Sequence, residues 1–468
     1  MDRMSPLDAA FLQAEDEEPG VSLAIASIAV FEGPAPTTGQ FAEALAGRLP
    51  LIPRYRQKAR EVPLDLGPPV WVDDPAFDIA YHVRRTALPA PGGDEELAAL
   101  MGRVMSARLD RGRPLWEYWV IEGLAEGRWA LISKVHHCMV DGISGTDLYH
   151  VVLDDSPEPR GPVVDDWHPR PEPSSLELAL TAALDLVRLP LGQARALAGA
   201  AMRPTTFARE ARNAVLGMSA LAGVLRPAAR SSLSGALTTQ RRFAFARSTV
   251  EDVGVVRHAL GGTFNDVVMA AVTGGFRTLL LSRGEEPTRR AVRSLVPVSV
   301  RPPGAESVRD NEVSLLIAEL PVEIADPVER LAAVREHLGA LKARHEADAG
   351  ASVVEFAGHE PFPAVAPPVR IGFHLRQRFI TTVTTNVPGP REPLYAFGRR
   401  LLEIIPYVPI ASTVRTGVSI FSYCGQVTFG VTGDARGPAD VWTLARGIDD
   451  GMTDLLAAAR SLTAADAH

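Results

Sequence analysis

At 468 residues the chain is long enough for two lobes, each with its own core. Hydrophobic residues at 46% and charged residues at 22% are ordinary for a soluble protein, and a net charge of −8 argues against any general attraction to nucleic acid. Cys138 and Cys424 are the only cysteines, which excludes a disulfide framework and fits a reducing cytosol.

The N-terminal segment carries Asp2, Asp8, Glu15, Asp16, Glu17 and Glu18 with no apolar core, so it does not read as a signal peptide. Ser5-Pro6-Leu7-Asp8 has the form of a helix start, with Leu7, Ala10 and Phe11 on its apolar face. Residues 21–31 are rich in β-formers and end at Gly33-Pro34, which predicts a strand. They form the longest apolar run, too short to cross a bilayer, so any membrane contact is peripheral. A helix is expected over about 38–48, then a basic, Pro-broken loop holding Arg54, Arg56 and Lys58. Residues 71–83 read as a strand containing Asp78 and a packed His82. Leu97, Leu100 and Val104 have helical spacing within 94–107. A turn over 109–117 leads into a strand at 118–121, and a hairpin over 122–128 leads to a buried strand at 129–133.

That strand delivers Lys134-Val135-His136-His137-Cys138-Met139-Val140-Asp141-Gly142. Two histidines at the end of a strand, before a tight turn, stand where a scaffold presents a side chain. Histidine takes and returns a proton near neutral pH. Asp141 fixes the turn or orients a ring, and Gly142 lets the backbone turn closely. Three readings stand open here: a catalytic base, a structural histidine and a metal site. The spacing of the doublet and Asp141 lacks a zinc ligand set. After the doublet, Ser144-Gly145-Thr146-Asp147 forms a capping box that opens a helix through Leu153.

Residues 156–175 are a Pro-rich linker. Residues 176–230 are Ala/Leu-rich, helical and locally basic within an acidic chain. Such a segment either lies on an anionic membrane face or packs between lobes. The second lobe begins near Arg241 with a short strand at 243–246. Thr263-Phe264-Asn265-Asp266 is another capping box, opening a helix through Leu281. It places Asn265 in a first turn, where free N–H groups favour developing negative charge. Strands follow at 293–301, ending in Arg301, and at 311–320. Val328, Leu331, Val334, Leu338 and Leu341 trace a helix face. A strand over 381–390, a hairpin about Cys424-Gly425-Gln426 and a helix over 441–459 complete the chain.

The doublet with Asp141 and Gly142 matches the H-H-x-x-x-D-G motif of CoA-dependent acyltransferases, which condensation domains share. Pro6-Leu7-Asp8-Ala9-Ala10-Phe11-Leu12, Pro114-Leu115-Trp116-Glu117, Asn265-Asp266-Val267-Val268, Val296-Pro297-Val298-Ser299-Val300-Arg301 and Asn386-Val387-Pro388-Gly389-Pro390 narrow the match. Together they resemble the bacterial wax ester synthase/diacylglycerol acyltransferase family, in that family's order and from end to end. One departure is Asp310-Asn311, where the family often has Gly-Asn; it leaves the shape of that loop open.

The resemblance implies an α/β (α+β) fold of two lobes, each a mixed β-sheet with flanking helices, related to chloramphenicol acetyltransferase, with an active-site tunnel between them. The division is residues 1–155, a connector at 156–240, and 241–468. It implies O-acyl transfer from a long-chain acyl-CoA to diacylglycerol or a fatty alcohol, with no cofactor and no metal. His137 is then the general base, His136 its support, and Asn265 the oxyanion donor. Asp141, beside Gly142, is expected to pair with Arg301 and hold the loop. Trp116 and Glu15 serve as tunnel wall or loop support. Family members attach to the inner membrane face or to lipid bodies, which implies a cytoplasmic, peripheral protein. The competing readings are a condensation-type enzyme fed by a carrier protein and a non-catalytic lipid-binding protein of the same fold.

Overall fold

The computed structural model describes residues 2–139, 145–184, 229, 231–299, 313–347, 379–436 and 440–466. In chain order the strands are β1 (Asp2–Arg3), β2 (Ala24–Phe31), β3 (Gln57–Arg60), β4 (Val70–Asp73), β5 (Val83–Ala87), β6 (Trp116–Glu122), β7 (Trp129–His136) and β8 (Arg241–Thr249). They continue as β9 (Arg293–Ser299), β10 (Val313–Glu319), β11 (Thr382–Pro388), β12 (Tyr395–Ala396), β13 (Arg399–Tyr407), β14 (Thr416–Tyr423) and β15 (Gln426–Asp434). The α-helices are α1 (Pro6–Glu17), α2 (Thr38–Ala46), α3 (Ile79–His82), α4 (Asp94–Ser106), α5 (Gly145–Val152), α6 (residues 175–184), α7 (Val250–Leu260), α8 (Phe264–Ser282), α9 (Pro327–Ala347) and α10 (Val441–Asp466).

Two six-stranded mixed sheets organise the chain, in the orders β12-β13-β2-β7-β6-β5 and β10-β9-β11-β14-β15-β8. The first is antiparallel except for the β5–β6 pair; in the second, β9–β11 and β11–β14 are parallel. A small sheet, β1-β4-β3, stands apart. This is the two-lobed architecture with flanking helices. The lobes do not follow a single cut at 241, however. β12 and β13 cross back and complete the first sheet, with β13 pairing antiparallel to β2. Their sequence hides this: Leu401 to Tyr407 holds a near-continuous apolar run with Pro406 in it, and shows no clean period of two.

β13 is also where the sheets meet. A Cβ on Gly430 of β15 would lie 1.7 Å from the Pro406 carbonyl oxygen, so only glycine admits this backbone approach. Ser419 Oγ donates to the same carbonyl at 2.9 Å. Phe243 and Tyr407 add a ring contact at 5.8 Å. Beneath the second sheet, α8 begins with the expected capping box: Asp266 N–H donates to Thr263 Oγ1 at 3.2 Å, and Thr263 N–H to Asp266 Oδ2 at 2.8 Å. Its Phe276, Leu279 and Leu280 are fully buried; side chains of this size contribute roughly 2 kcal/mol each.

Several elements differ from the sequence reading. Residues 71–83 are not one strand. β4 ends at Asp73, and Asp78 caps the single turn α3, accepting the Ala80 N–H at 2.9 Å. An aspartate bonding its own local backbone competes with the strand. α7, capped by Thr249, had no counterpart in the sequence pattern. Ser144, Asp141, Gly142, Arg301 and nearly all of the basic segment after residue 184 lie outside the described residues.

Candidate active site

β7 is the central carrier. It runs through to His136 and is buried along its length except at Ser133. Neighbouring backbone holds the doublet from both sides: His136 N–H donates to Leu115 O at 2.9 Å, and His137 N–H to Leu23 O at 3.2 Å. His137 opens the single 3-10 turn His137–Met139. The strand's pleat ends between the two histidines, which sends their side chains into different surroundings.

His136 is 1% exposed. Its Nδ1 receives the Cys138 backbone N–H at 3.3 Å and lies 2.9 Å from Cys138 Sγ. Burial pushes the Cys138 thiol well up, so it stays protonated and can donate. The ring proton therefore sits on Nε2, which lies 3.5 Å from Glu15 Oε1. Burial also lowers the His136 pKa and keeps the ring neutral. Burial alone would raise the Glu15 carboxyl. The His136 ring beside it, the Arg111 guanidinium and the Leu23 N–H outweigh that and bring it down to about 2. The Leu23 N–H bond is 2.8 Å and the Arg111 contact 3.1 Å.

His137 is half-buried, and the ring of Phe11 lies against it, centroids 4.2 Å apart and planes at 44°. Two residues before His136, Lys134 is also buried. Its Nζ donates to Val104 O at 2.9 Å and Ala107 O at 2.6 Å, satisfying carbonyls at the end of α4. Burial lowers its pKa to about 8. Trp116 is fully buried, donates Nε1–H to Tyr55 O at 2.8 Å, and stacks on His82 at 4.2 Å. Its contacts are those of a core support beside Leu115.

Asn265 sits in the first turn of α8, half-buried. Asn386 of β11 donates Nδ2–H to Asn265 Oδ1 at 3.1 Å. With its oxygen so engaged, the Asn265 amide nitrogen is left as a donor. The structure thus gathers Glu15, His136 and His137 into one cluster on the first sheet, with Trp116 behind it. Asn265 belongs to a second cluster at the start of α8. Phe11, Arg111, Lys134, Cys138 and Asn386 were not singled out from sequence as site residues. Phe11 and Glu15 stand four apart on a predicted helix, which was the available signal. A cavity of about 210 Å³ lined by Phe41, Arg48, Asp154, Arg160 and Phe397 includes none of these residues.

The architecture is shared with solved condensation domains. The first condensation domain of the CDA synthetase superposes with a TM-score of 0.60 at 16% identity, covering 97% of this chain and 96% of that one; the likeness is one of fold. A wax ester synthase/diacylglycerol acyltransferase from Marinobacter aquaeolei superposes with a TM-score of 0.68 at 26% identity, covering 98% and 99%. Fold and histidine doublet together define a two-lobed acyltransferase of the condensation-domain type. The family model described as the wax ester synthase/diacylglycerol acyltransferase catalytic domain matches residues 4–268, and the WS/DGAT C-terminal domain matches 310–456. The probable diacylglycerol O-acyltransferase tgs1 of Mycobacterium tuberculosis is 42% identical over 460 residues, covering 98% of this chain and 96% of the relative. The chain belongs to the wax ester synthase/diacylglycerol acyltransferase family, and its chemistry is O-acyl transfer.

Proposed function

We propose that His137 is the general base of transfer from acyl-CoA to diacylglycerol, with long-chain alcohol as the alternative acceptor. One observation carries the assignment. Both ring nitrogens of His136 face protein partners in a pocket that leaves 1% of the residue exposed, whereas His137 is half-buried and so accessible. In this reading His137 takes the proton of the acceptor hydroxyl as its oxygen attacks the thioester carbonyl. The oxyanion that forms receives the Asn265 amide and the N–H groups opening α8. As the C–S bond breaks, His137 returns the proton to the departing thiolate, giving ester and free CoA with no covalent enzyme intermediate. Substrates meet in a tunnel between the lobes. The 42% identity to a diacylglycerol O-acyltransferase favours diacylglycerol as acceptor.

Diacylglycerol partitions into lipid, so the enzyme must work at a lipid surface. Among the described residues no helix is long and apolar enough to cross a membrane. Leu176, Leu180 and Leu184 project outward along α6 at 69%, 55% and 57% exposure, which suits peripheral contact. One assay tests the whole reading: a labelled acyl-CoA offered diacylglycerol and hexadecanol in equal amounts, with the products separated. Labelled triacylglycerol in excess supports it. Wax ester as the sole product moves the acceptor assignment to alcohol, and neither product, with His137→Ala indistinguishable from wild type, defeats it.

A further inference from the structure

One face of α1 meets both histidines. Glu15 lies beside His136, and Phe11, one helical turn earlier on the same face, lies beside His137. The helix is anchored firmly enough to serve as a reference. Ser5 caps its start. Arg111 donates to Leu12 O at 3.0 Å, and Glu15 accepts the Leu23 N–H at 2.8 Å. Phe11 itself packs on the small apolar cluster of Ala14, Val21 and Leu23. Leu23 is also the residue whose carbonyl accepts the His137 N–H. That backbone bond fixes the His137 main chain, and the ring direction is then set by two side-chain torsions.

We propose that Phe11 is a positioning residue for the transfer reaction: its ring is the surface against which the His137 imidazole rests, so α1 selects the rotamer that aims the basic nitrogen at the acceptor hydroxyl. The proposal rests on the reading of His137 as base. In this role Phe11 acts through the imidazole it rests against. A flat ring is required, because a branched aliphatic chain of similar size fills the space without offering a face.

The test uses the full-length enzyme with Phe11→Leu, Phe11→Tyr and His137→Ala. Phe11→Leu should lower kcat by about tenfold or more, since a reacting group displaced by an ångström loses that much and more. Its KM for acyl-CoA should stay within about twofold, because uniform binding is untouched. Its thermal melt should stay near wild type, and Phe11→Tyr should recover most of the rate. Independently of activity, the His137 ring-proton resonances, assigned by their loss in His137→Ala, should lose their ring-current shift in Phe11→Leu and keep it in Phe11→Tyr. Wild-type kcat in Phe11→Leu overturns the proposal. So does a raised KM at unchanged kcat, which would make Phe11 a wall of the acyl site, or an equal loss in both variants with a lowered melt. If His137→Ala keeps its turnover, the base reading fails; the resonance shift then still reports whether Phe11 sets the ring.

Discussion

Strand β7 of the first sheet and helix α8 beneath the second each bring one polar side chain to the edge of an apolar core, by different means. On the first, the strand that carries the histidines is flanked by buried polar groups: Lys134, His136 and Glu15 are each 2% exposed or less. Their orientation depends on side-chain partners, and on which nitrogen or oxygen holds a proton. On the second, Asn265 stands at the start of a helix buried almost wholly by apolar contacts, from Val267 to Leu280. Its surroundings are a capping box, a helix end and the amide of Asn386. The difference teaches that the base side is held by ionisable side chains brought together from distant parts of the chain, and the asparagine side by a local helix cap and one amide. Perturbation of the first should therefore show in pH profiles, and perturbation of the second in rate alone.

The largest effect expected is at His137. His137→Ala should lower transfer by about 10²–10⁴-fold, the contribution of a positioned acid–base group, while the melt moves little because the ring is half-buried. A variant that turns over normally breaks the comparison outright. Asn265→Ala comes next. Loss of one donor to an oxyanion costs about 10²-fold in kcat, and the helix-start N–H groups remain. Its pH profile should keep the wild-type shape. A shifted profile would mean that Asn265 acts on the base and not on the oxyanion.

How much of this was legible beforehand follows the same divide. The capping box at Thr263 and the helix after it could be read directly, because cap chemistry and apolar spacing are local signals. The β7 strand and its histidine doublet were equally plain. The partners of the doublet were not. Arg111 reaches Glu15 across 96 positions, and Lys134 finds its carbonyls 27 and 30 positions away. Asn386 meets Asn265 across 121. Such pairings are made by the topology, and no period or propensity announces them. The return of β13 to the first sheet was hidden for the same reason: a strand carries no mark of which sheet it joins. Asp141 and Arg301, expected to pair, fall outside the described residues and stay an expectation.

Glu15→Gln should sharpen the contrast through stability. The Glu15 carboxyl sits at about 2 in the folded chain against an ordinary 4.5, so the unfolded chain takes up its proton first as pH falls. The stabilisation is complete above about pH 4.5 and drains away as pH falls toward 2; its size is roughly 3 kcal/mol. The variant should be weaker than wild type by that order in urea unfolding at pH 7, and the gap should close on acidification. A gap that has not begun to close between pH 7 and about pH 3, partway through the titration from 4.5 to about 2, would show that the charge on Glu15 is not what stabilises this end of α1.

Lys134→Met should give the smallest change at neutral pH and a pH dependence of the same sign in a separate, alkaline window. Methionine leaves the Val104 and Ala107 carbonyls without their donor, but it also removes a charge from the interior. The two effects oppose each other, and the net is within about 1–2 kcal/mol. The pH slope separates them. With its pKa held near 8 against an ordinary 10.5, Lys134 gives up its proton in the folded chain before the unfolded one does. Below about pH 8 the buried charge is a standing cost, and between 8 and 10.5 that cost is relieved, so wild-type stability gains a rising component with pH. The variant lacks that component. The unfolding free energies of the two proteins should therefore diverge in favour of wild type across this alkaline window. Parallel curves would mean that the ammonium gains enough from the two carbonyls to keep its ordinary pKa, and Lys134 would then hold the end of α4 through its hydrogen bonds alone.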